Sequence, residues 1–188
     1  MQTDVIIIGT GISAKLTALY LSLHRFKVIV FTNQTIKQDT SNLVTFFSSG
    51  SIKFLSEILG EDKLIYSYEN IKQLSCCQYD QIDKENFEFN FNNNKEDLLG
   101  KIIPNQKINE CLDSLILSNI NIHISTNERI NDIKQYDNQI EVITKSSSSF
   151  SAKLLIMADG KNSMIKGYSD FQFITHDFEQ IALSMTAK

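Results

Sequence analysis

Six residues near the start of the chain have types and spacing suited to holding a diphosphate: Gly9-Thr10-Gly11-Ile12-Ser13-Ala14, a GxGxxA pattern. In such a pattern the first glycine lets the chain turn sharply out of a strand. The second leaves room for a pyrophosphate to approach the backbone, and the alanine lets a helix pack closely on the sheet. Ile12, Ser13 and Ala14 would open that helix, where unpaired N–H groups and a partial positive charge attract phosphate. Gly9, Gly11, Ile12, Ser13 and Ala14 are the candidates here for binding a dinucleotide cofactor.

The pattern is informative only between a strand and a helix, and the flanking residues supply that frame. Val5-Ile6-Ile7-Ile8 reads as a strand buried on both faces of a parallel sheet. A helix is expected from about Ser13 to His24, with Leu16, Leu19, Tyr20 and Leu23 on one face. Val28 to Phe31 reads as a second buried strand, completing a βαβ unit with a right-handed crossover. The residue ending that second strand would ordinarily be Asp or Glu, accepting hydrogen bonds from the adenosine ribose. Thr32 stands there. Its hydroxyl can accept a bond but brings no charge, a loss on the order of 1–3 kcal/mol, or about tenfold to a hundredfold in affinity.

A second motif lies far along the chain. Leu154 to Met157 reads as a third buried strand that ends in Ala158-Asp159-Gly160, followed by Lys161-Asn162-Ser163-Met164-Ile165-Lys166. An isolated Asp-Gly at a strand end is ordinarily a turn. Taken with the first motif, it resembles the ADGxxSxxR signature of the flavin-dependent aromatic hydroxylases, the family typified by p-hydroxybenzoate hydroxylase. Asp159, Gly160 and Ser163 match, while Lys166 stands where arginine is usual and lacks its planar fork.

Three segments resemble the ubiquinone-biosynthesis hydroxylases in particular. Leu99 to Ile108 with Leu112 is similar to an LGYxxxNxxL stretch, with Asn105 on the cofactor's ribose side. His176 to Leu183 is similar to a YxQxA segment, and Ser51 to Leu55 to the helix after a flavin-contacting loop. That loop usually carries an arginine; Asp39 to Thr45 contains none, and Asn42 and Leu43 lie near its place. The resemblance runs from Asp4 to about Ala187 but covers only the N-terminal half of the family's pattern.

The resemblance implies an α/β fold: a Rossmann-like FAD-binding domain of parallel sheet, crossover helices and β-meander, with part of a smaller β-rich substrate lobe. It implies one FAD-binding domain over 1–188, with partial substrate-lobe strands at 65–100 and the start of the substrate domain at 168–188. The implied cofactor is FAD with NAD(P)H as reductant, held by Gly9, Gly11, Ile12, Ser13, Ala14, Thr32, Asn105, Asp159 and Gly160. The implied substrate is a polyprenyl phenol, and the implied partners are a complementary C-terminal chain or a ubiquinone-biosynthesis complex. In such flavoenzymes the cofactor carries the chemistry, so no side chain is assigned as catalyst.

Between the motifs, Thr32 to Thr45 reads as a loop, and Ser51 to Leu59 as an amphipathic helix through Ile52, Leu55, Ile58 and Leu59, closed by Gly60. Ile71 to Tyr79 and Asn86 to Phe91 have strand character, the latter with Phe87, Phe89 and Phe91 on one face. Gln106 to Leu117 reads as a helix through Ile108, Leu112, Leu115 and Ile116. Ile120 to Ile124, Ile130 to Gln135 and Ile140 to Thr144 follow as strands, with a hairpin turn at Asp137-Asn138. Ser146 to Ser149 reads as a longer loop before the last strand.

Composition narrows the function classes. The 188 residues are 42% hydrophobic and 21% charged, ordinary for a globular chain, and the formal charge of −4 leaves no basic footprint for nucleic acid. Cys76, Cys77 and Cys111 lack zinc spacing and a closed disulfide pattern. His24, His123 and His176 lack metal-ligand spacing, and Glu61-Asp62 reads as a solvated loop. There is no GxSxG elbow or P-loop. With no leader and no apolar run near 20 residues, the expected location is cytoplasmic, peripheral to the inner membrane where a polyprenyl substrate is used. Two other function classes compete: a decayed, non-catalytic half-enzyme that binds nucleotide weakly, and an NAD-dependent dehydrogenase, which the Asp159-Gly160 motif disfavours.

Overall fold

In the computed structural model, the hydrophobic run Val5–Ile8 forms strand β1 and Val28–Thr32 forms β2, joined through helix α1 (Ile12–Leu23). The structure describes the chain except residues 33–42, 61–67, 80–85, 93–97, 127, 161–162, 168–171, 173, 175 and 182–188. At 76–79, 86–92 and 165–166 it describes backbone only. The expectations for Asp39 to Asn42, the Glu61-Asp62 pair, the Cys76 and Cys77 thiols, the three phenylalanine rings, the Lys166 side chain and most of 168–188 therefore lie outside the described residues.

The chain divides into two compact units, residues 1–39 with 109–188, and residues 40–108. In the first unit β1 and β2 join β8 (Ile122–Thr126) and β12 (Leu154–Met157) in a four-stranded sheet of order β12-β1-β2-β8. Every neighbouring pair is parallel, as the βαβ reading requires. β1 and β2 are buried along their whole length because both faces are covered. On one face α1 packs against β1, β2 and β8.

The other face carries Ile6, Ile8, Ile29 and Phe31. These share a core with Val142 and Ala152 of a three-stranded antiparallel sheet, β11-β10-β9 (Ser149–Ala152, Ile140–Thr144, Ile130–Gln135). Phe31 and Phe150 meet edge to face with ring centroids 5.0 Å apart. Each fully buried aliphatic or aromatic side chain contributes about 1.5–3 kcal/mol relative to an exposed one, so this two-layer core fixes the ends of β1 and β2.

Three sequence readings change here. The buried stripe of α1 is Ala14, Lys15, Ala18, Leu19 and Ser22, while Tyr20 and Leu23 are 39% and 58% exposed. Small residues win because a crossover helix needs close approach to its sheet. Leu154–Met157 is an edge strand, with Leu154 50% exposed, rather than one buried on both faces. The serine run is a tight turn, Thr144 N donating to Ser148 O, and Ser149 already belongs to β11. The expected strands over 130–135 and 140–144 form as read, around a turn in which Tyr136 N donates to Gln139 O.

In the second unit β3 (Val44–Ser48), β4 (Asn70–Ile71) and β7 (Gly100–Pro104) form an antiparallel sheet of order β3-β7-β4. Thr45, expected in a loop, is therefore in a strand, and β7 carried no sequence signal of its own. α2 (Ser49–Leu59) buries Ile52, Leu55, Ile58 and Leu59 as its spacing predicts, and ends at Gly60 with φ 74°. Ser48 caps it, its hydroxyl accepting from Ser51 N. β5 (Gln73–Tyr79) and β6 (Asn86–Asn92) pair as an antiparallel ladder. α3 (Asn105–Leu117) crosses the division between the units; Ile108, Leu112 and Ile116 are buried, as its periodicity predicts.

Candidate functional site: a cleft at the carboxyl ends of the parallel strands

The sheet continues one step past β1: Gly9 N donates to Phe31 O at 3.0 Å and Ala158 N to Ile8 O at 2.8 Å. This pulls the residue after β12 against the turn after β1. A Cβ on Gly9 would lie 2.2 Å from Ala158 O, and Gly9 has φ 119°, a conformation open to glycine. Gly9 is thus demanded by the fold itself.

Gly11 is different. Its φ of −65° suits any residue, and a Cβ there would meet nothing within 4 Å. It caps α1, the first intrahelical bond running from Lys15 N to Gly11 O at 3.1 Å, and no side chain caps this helix. No acidic residue occupies the first turn. The N–H groups of Ile12, Ser13 and Ala14, ahead of that first bond, therefore stand at an end with positive potential. Ala14 is fully buried against the sheet, whereas Ser13 faces solvent.

Gly9, Thr10 and Gly11 form one wall of a cleft of about 660 Å³, within the range of small-molecule sites. Ile8, Phe31 and Thr32 supply its floor at the ends of β1 and β2, and Ala158, Asp159 and Gly160 supply the wall beyond β12. Open parallel sheets bind ligands at this edge, outside the carboxyl ends of the strands. The two sequence motifs, about 150 residues apart, thus meet at one opening.

Asp159 is half-buried, and one carboxylate oxygen accepts from Met164 N at 2.8 Å, closing the turn into a short 3-10 helix, Met164–Gly167. Its other oxygen can accept from a ligand hydroxyl. Thr32 is 4% exposed, at the rim where β2 leaves the sheet. Asn105 belongs to the second unit, where its Oδ1 accepts from the Thr45 hydroxyl at 2.6 Å. Sequence reasoning did not single out Thr10, Arg129, Ile130, Lys145 or Met164, which also line the cleft. The last four come from the β-meander and the turn after β12, and only packing brings them here. Among the described residues no group of three His, Cys, Asp or Glu side chains is placed to hold a metal. No described helix is long and apolar enough to cross a membrane.

Fold and site together define an α/β, Rossmann-like fold of parallel sheet, crossover helix and β-meander, with strands of a β-rich lobe. Solved structures share it. PqsL of Pseudomonas aeruginosa, a probable FAD-dependent monooxygenase, is 16% identical, with a TM-score of 0.67 over 95% of this chain and 48% of its own. The p-nitrophenol 4-monooxygenase PnpA of Pseudomonas putida DLL-E4 is 18% identical, with a TM-score of 0.65 over 88% of this chain and 43% of its own. The Diels-Alderase PyrE3 is 14% identical, with a TM-score of 0.64 over 88% of this chain and 34% of its own. The chain spans less than half the length of each. No protein-family model matches it, and neither does any curated protein. A fold that carries both a monooxygenase and a Diels-Alderase leaves the activity to the site.

Proposed function

We propose that this chain is the dinucleotide-binding half of an FAD-dependent monooxygenase, with FAD laid across the turn between β1 and α1. The observation that carries the reading is Gly11. Nothing in the fold requires a glycine there, and the space its missing side chain leaves is the wall of the cleft. Beside an uncapped helix start whose N–H groups attract anions, that open space gives a phosphate room to approach.

Ile12, Ser13 and Ala14 would hold the pyrophosphate through backbone N–H groups, with Gly11 giving it room, while Gly9, whose N–H is taken by Phe31 O, would shape the turn. Thr32 would meet the adenosine ribose with its hydroxyl, and Asp159 and Gly160 would hold the side facing β12. Asn105 enters by family resemblance alone, since its side chain is engaged by Thr45. Bound FAD supplies the electron transfer and oxygen activation, with NAD(P)H as reductant. The residues of this chain bind and orient it, the α1 dipole offsetting phosphate charge and the buried strand ends excluding water from one side.

The finer reading is a ubiquinone-type hydroxylase acting on a polyprenyl phenol, supported by the Leu99 to Ile108 and His176 to Leu183 segments. The remaining substrate-binding elements would come from a complementary C-terminal chain or a ubiquinone-biosynthesis complex, at the cytoplasmic face of the inner membrane. Thr32 favours a second reading, a non-catalytic half that binds nucleotide weakly, because an uncharged side chain occupies the ribose position.

Loading the purified chain with FAD, desalting it and recording its visible spectrum tests the proposal; a retained flavin band is expected. A chain that stays colourless and leaves the fluorescence of excess FAD unchanged refutes both readings. Oxygen-dependent oxidation of NAD(P)H by the loaded chain separates the first from the second.

A further inference from the structure

The four parallel strands of the first unit start in register: Val5 pairs with Val28 and with Leu154, and Val28 pairs with Ile122. The residues just before them, Lys153, Asp4, Lys27 and Asn121, therefore stand in a row along the amino-terminal edge of the sheet, opposite the cleft. Helices α1 and α3 both end here, each leading into the next strand. Asn119 Nδ2 donates to Ser22 Oγ at 2.9 Å and Val28 N to Asn121 O at 2.9 Å, so the two turns lie side by side.

These turns expose apolar side chains together. Ile120 is 99% and Leu117 72% exposed, and Leu23 and Phe26 of the neighbouring turn are exposed as well. Large apolar side chains scattered singly on a surface need no explanation, whereas a group of them marks a contact. The charges beside them are mostly of one sign. Arg25, Lys27 and Lys153 are all exposed. Asp4 is the only acid in residues 1–4, 22–27, 117–121 and 152–153, and its carboxylate accepts from Lys27 N at 2.8 Å. A chain with a formal charge of −4 thus turns a basic, apolar edge outward.

We propose that this edge is a docking surface for an anionic lipid bilayer. Leu23, Phe26, Leu117 and Ile120 enter the headgroup boundary, and Arg25, Lys27 and Lys153 meet the acidic headgroups. A second copy of the chain fits the edge less well, because a two-fold contact sets its cations against the same cations. The cleft lies at the opposite ends of the strands, so a docked chain keeps it open to the aqueous side. The proposal goes beyond the membrane location given above by assigning the contact, and it holds with or without the cofactor reading.

The experiment is flotation of the full chain with vesicles of phosphatidylcholine alone and of phosphatidylcholine mixed with phosphatidylglycerol, each at low and high salt. A cation near an acidic surface is worth about fivefold, so the mixed vesicles should bind up to about a hundredfold more tightly at low salt, and high salt should erase the difference. Arg25→Asn with Lys27→Gln and Lys153→Gln should remove the preference, and Leu117→Ser with Ile120→Ser should weaken binding to the mixed vesicles about tenfold. All five side chains are exposed, so these variants keep the fold; an unchanged thermal transition checks it. The chain contains no tryptophan, so Ile120→Trp places a single reporter whose emission should shift to the blue on mixed vesicles. A parent chain that stays off both vesicles, variants that bind as the parent does, or an unshifted reporter overturns the proposal. Self-association that Ile120→Ser disperses, without vesicle binding, overturns it in favour of a second copy. FAD titration is read separately, so failure here leaves the cofactor reading standing.

Discussion

Gly9 and Gly11 are two residues apart, and the structure predicts opposite consequences for replacing them. At Gly9 an added Cβ meets Ala158 O at 2.2 Å, with φ at 119°. Relief requires moving the residue after β12 away from β1 or forcing the backbone out of its turn. Strain and displaced packing together cost about 3 kcal/mol or more. For a chain of 188 residues, that lowers Tm by roughly 6–12 °C. At Gly11 the added Cβ meets nothing within 4 Å and φ is −65°. The cost is that of a poorer N-cap, about 1 kcal/mol or less. Its Cβ nevertheless stands where the pyrophosphate must approach, so FAD and ADP affinity should fall a hundredfold or more. Thermal unfolding and fluorescence titration of Gly9→Ala and Gly11→Ala, side by side, read both quantities. A Gly11→Ala chain that binds as tightly as the parent, or that loses as much stability as Gly9→Ala, would refute the reasoning.

Three further outcomes are expected. Thr32→Glu supplies a charge-assisted acceptor at the proposed ribose position, raising FAD affinity about tenfold to a hundredfold; unchanged FAD titrations would count against the placement of the ribose. Buried Lys15 pairs with Asp113 at 2.7 Å and donates to Asn109 Oδ1 at 2.9 Å, so Lys15→Met should cost about 3 kcal/mol by stranding the carboxylate. Adding Asp113→Leu should recover most of that in denaturant titrations. Hydrogen bonds from Ser149 and then Tyr136 hold the Glu141 carboxyl below its ordinary value of 4.5. Its contribution is present above that ordinary value and is lost as pH falls through the lowered one; NMR titration should show Ser149→Ala moving the Glu141 midpoint upward.

Much of this was readable in the chain itself. Val5–Ile8, the glycine turn, α1 and β2 follow from local pattern: a β-branched run, a GxGxxA break and a helix of the right length state the βαβ unit with no distant contact. The α2 and α3 stripes were equally legible, because period-3.6 burial needs one apolar face and both have it. The face of α1 was misread, since its contact with the sheet is made by small residues that hydrophobic periodicity overlooks. β3 and β7 were missed because each is only five residues long, too short for a period-2 pattern to stand out, and exists through its ladder partner.

The sequence by itself determined that a diphosphate-type turn exists and that Thr32, not an acid, ends β2. Those are statements about residue type and neighbours along the chain. Only the tertiary structure decided that Asp159 stands beside Gly9, that Gly9 answers to Ala158 while Gly11 answers to no protein atom, and that Arg129 and Lys145 line the same cleft. Sheet order and the packing of the β-meander bring together residues more than a hundred positions apart. That closeness is produced by burial of Ile6, Ile8, Ile29 and Phe31, not by anything adjacent in the chain.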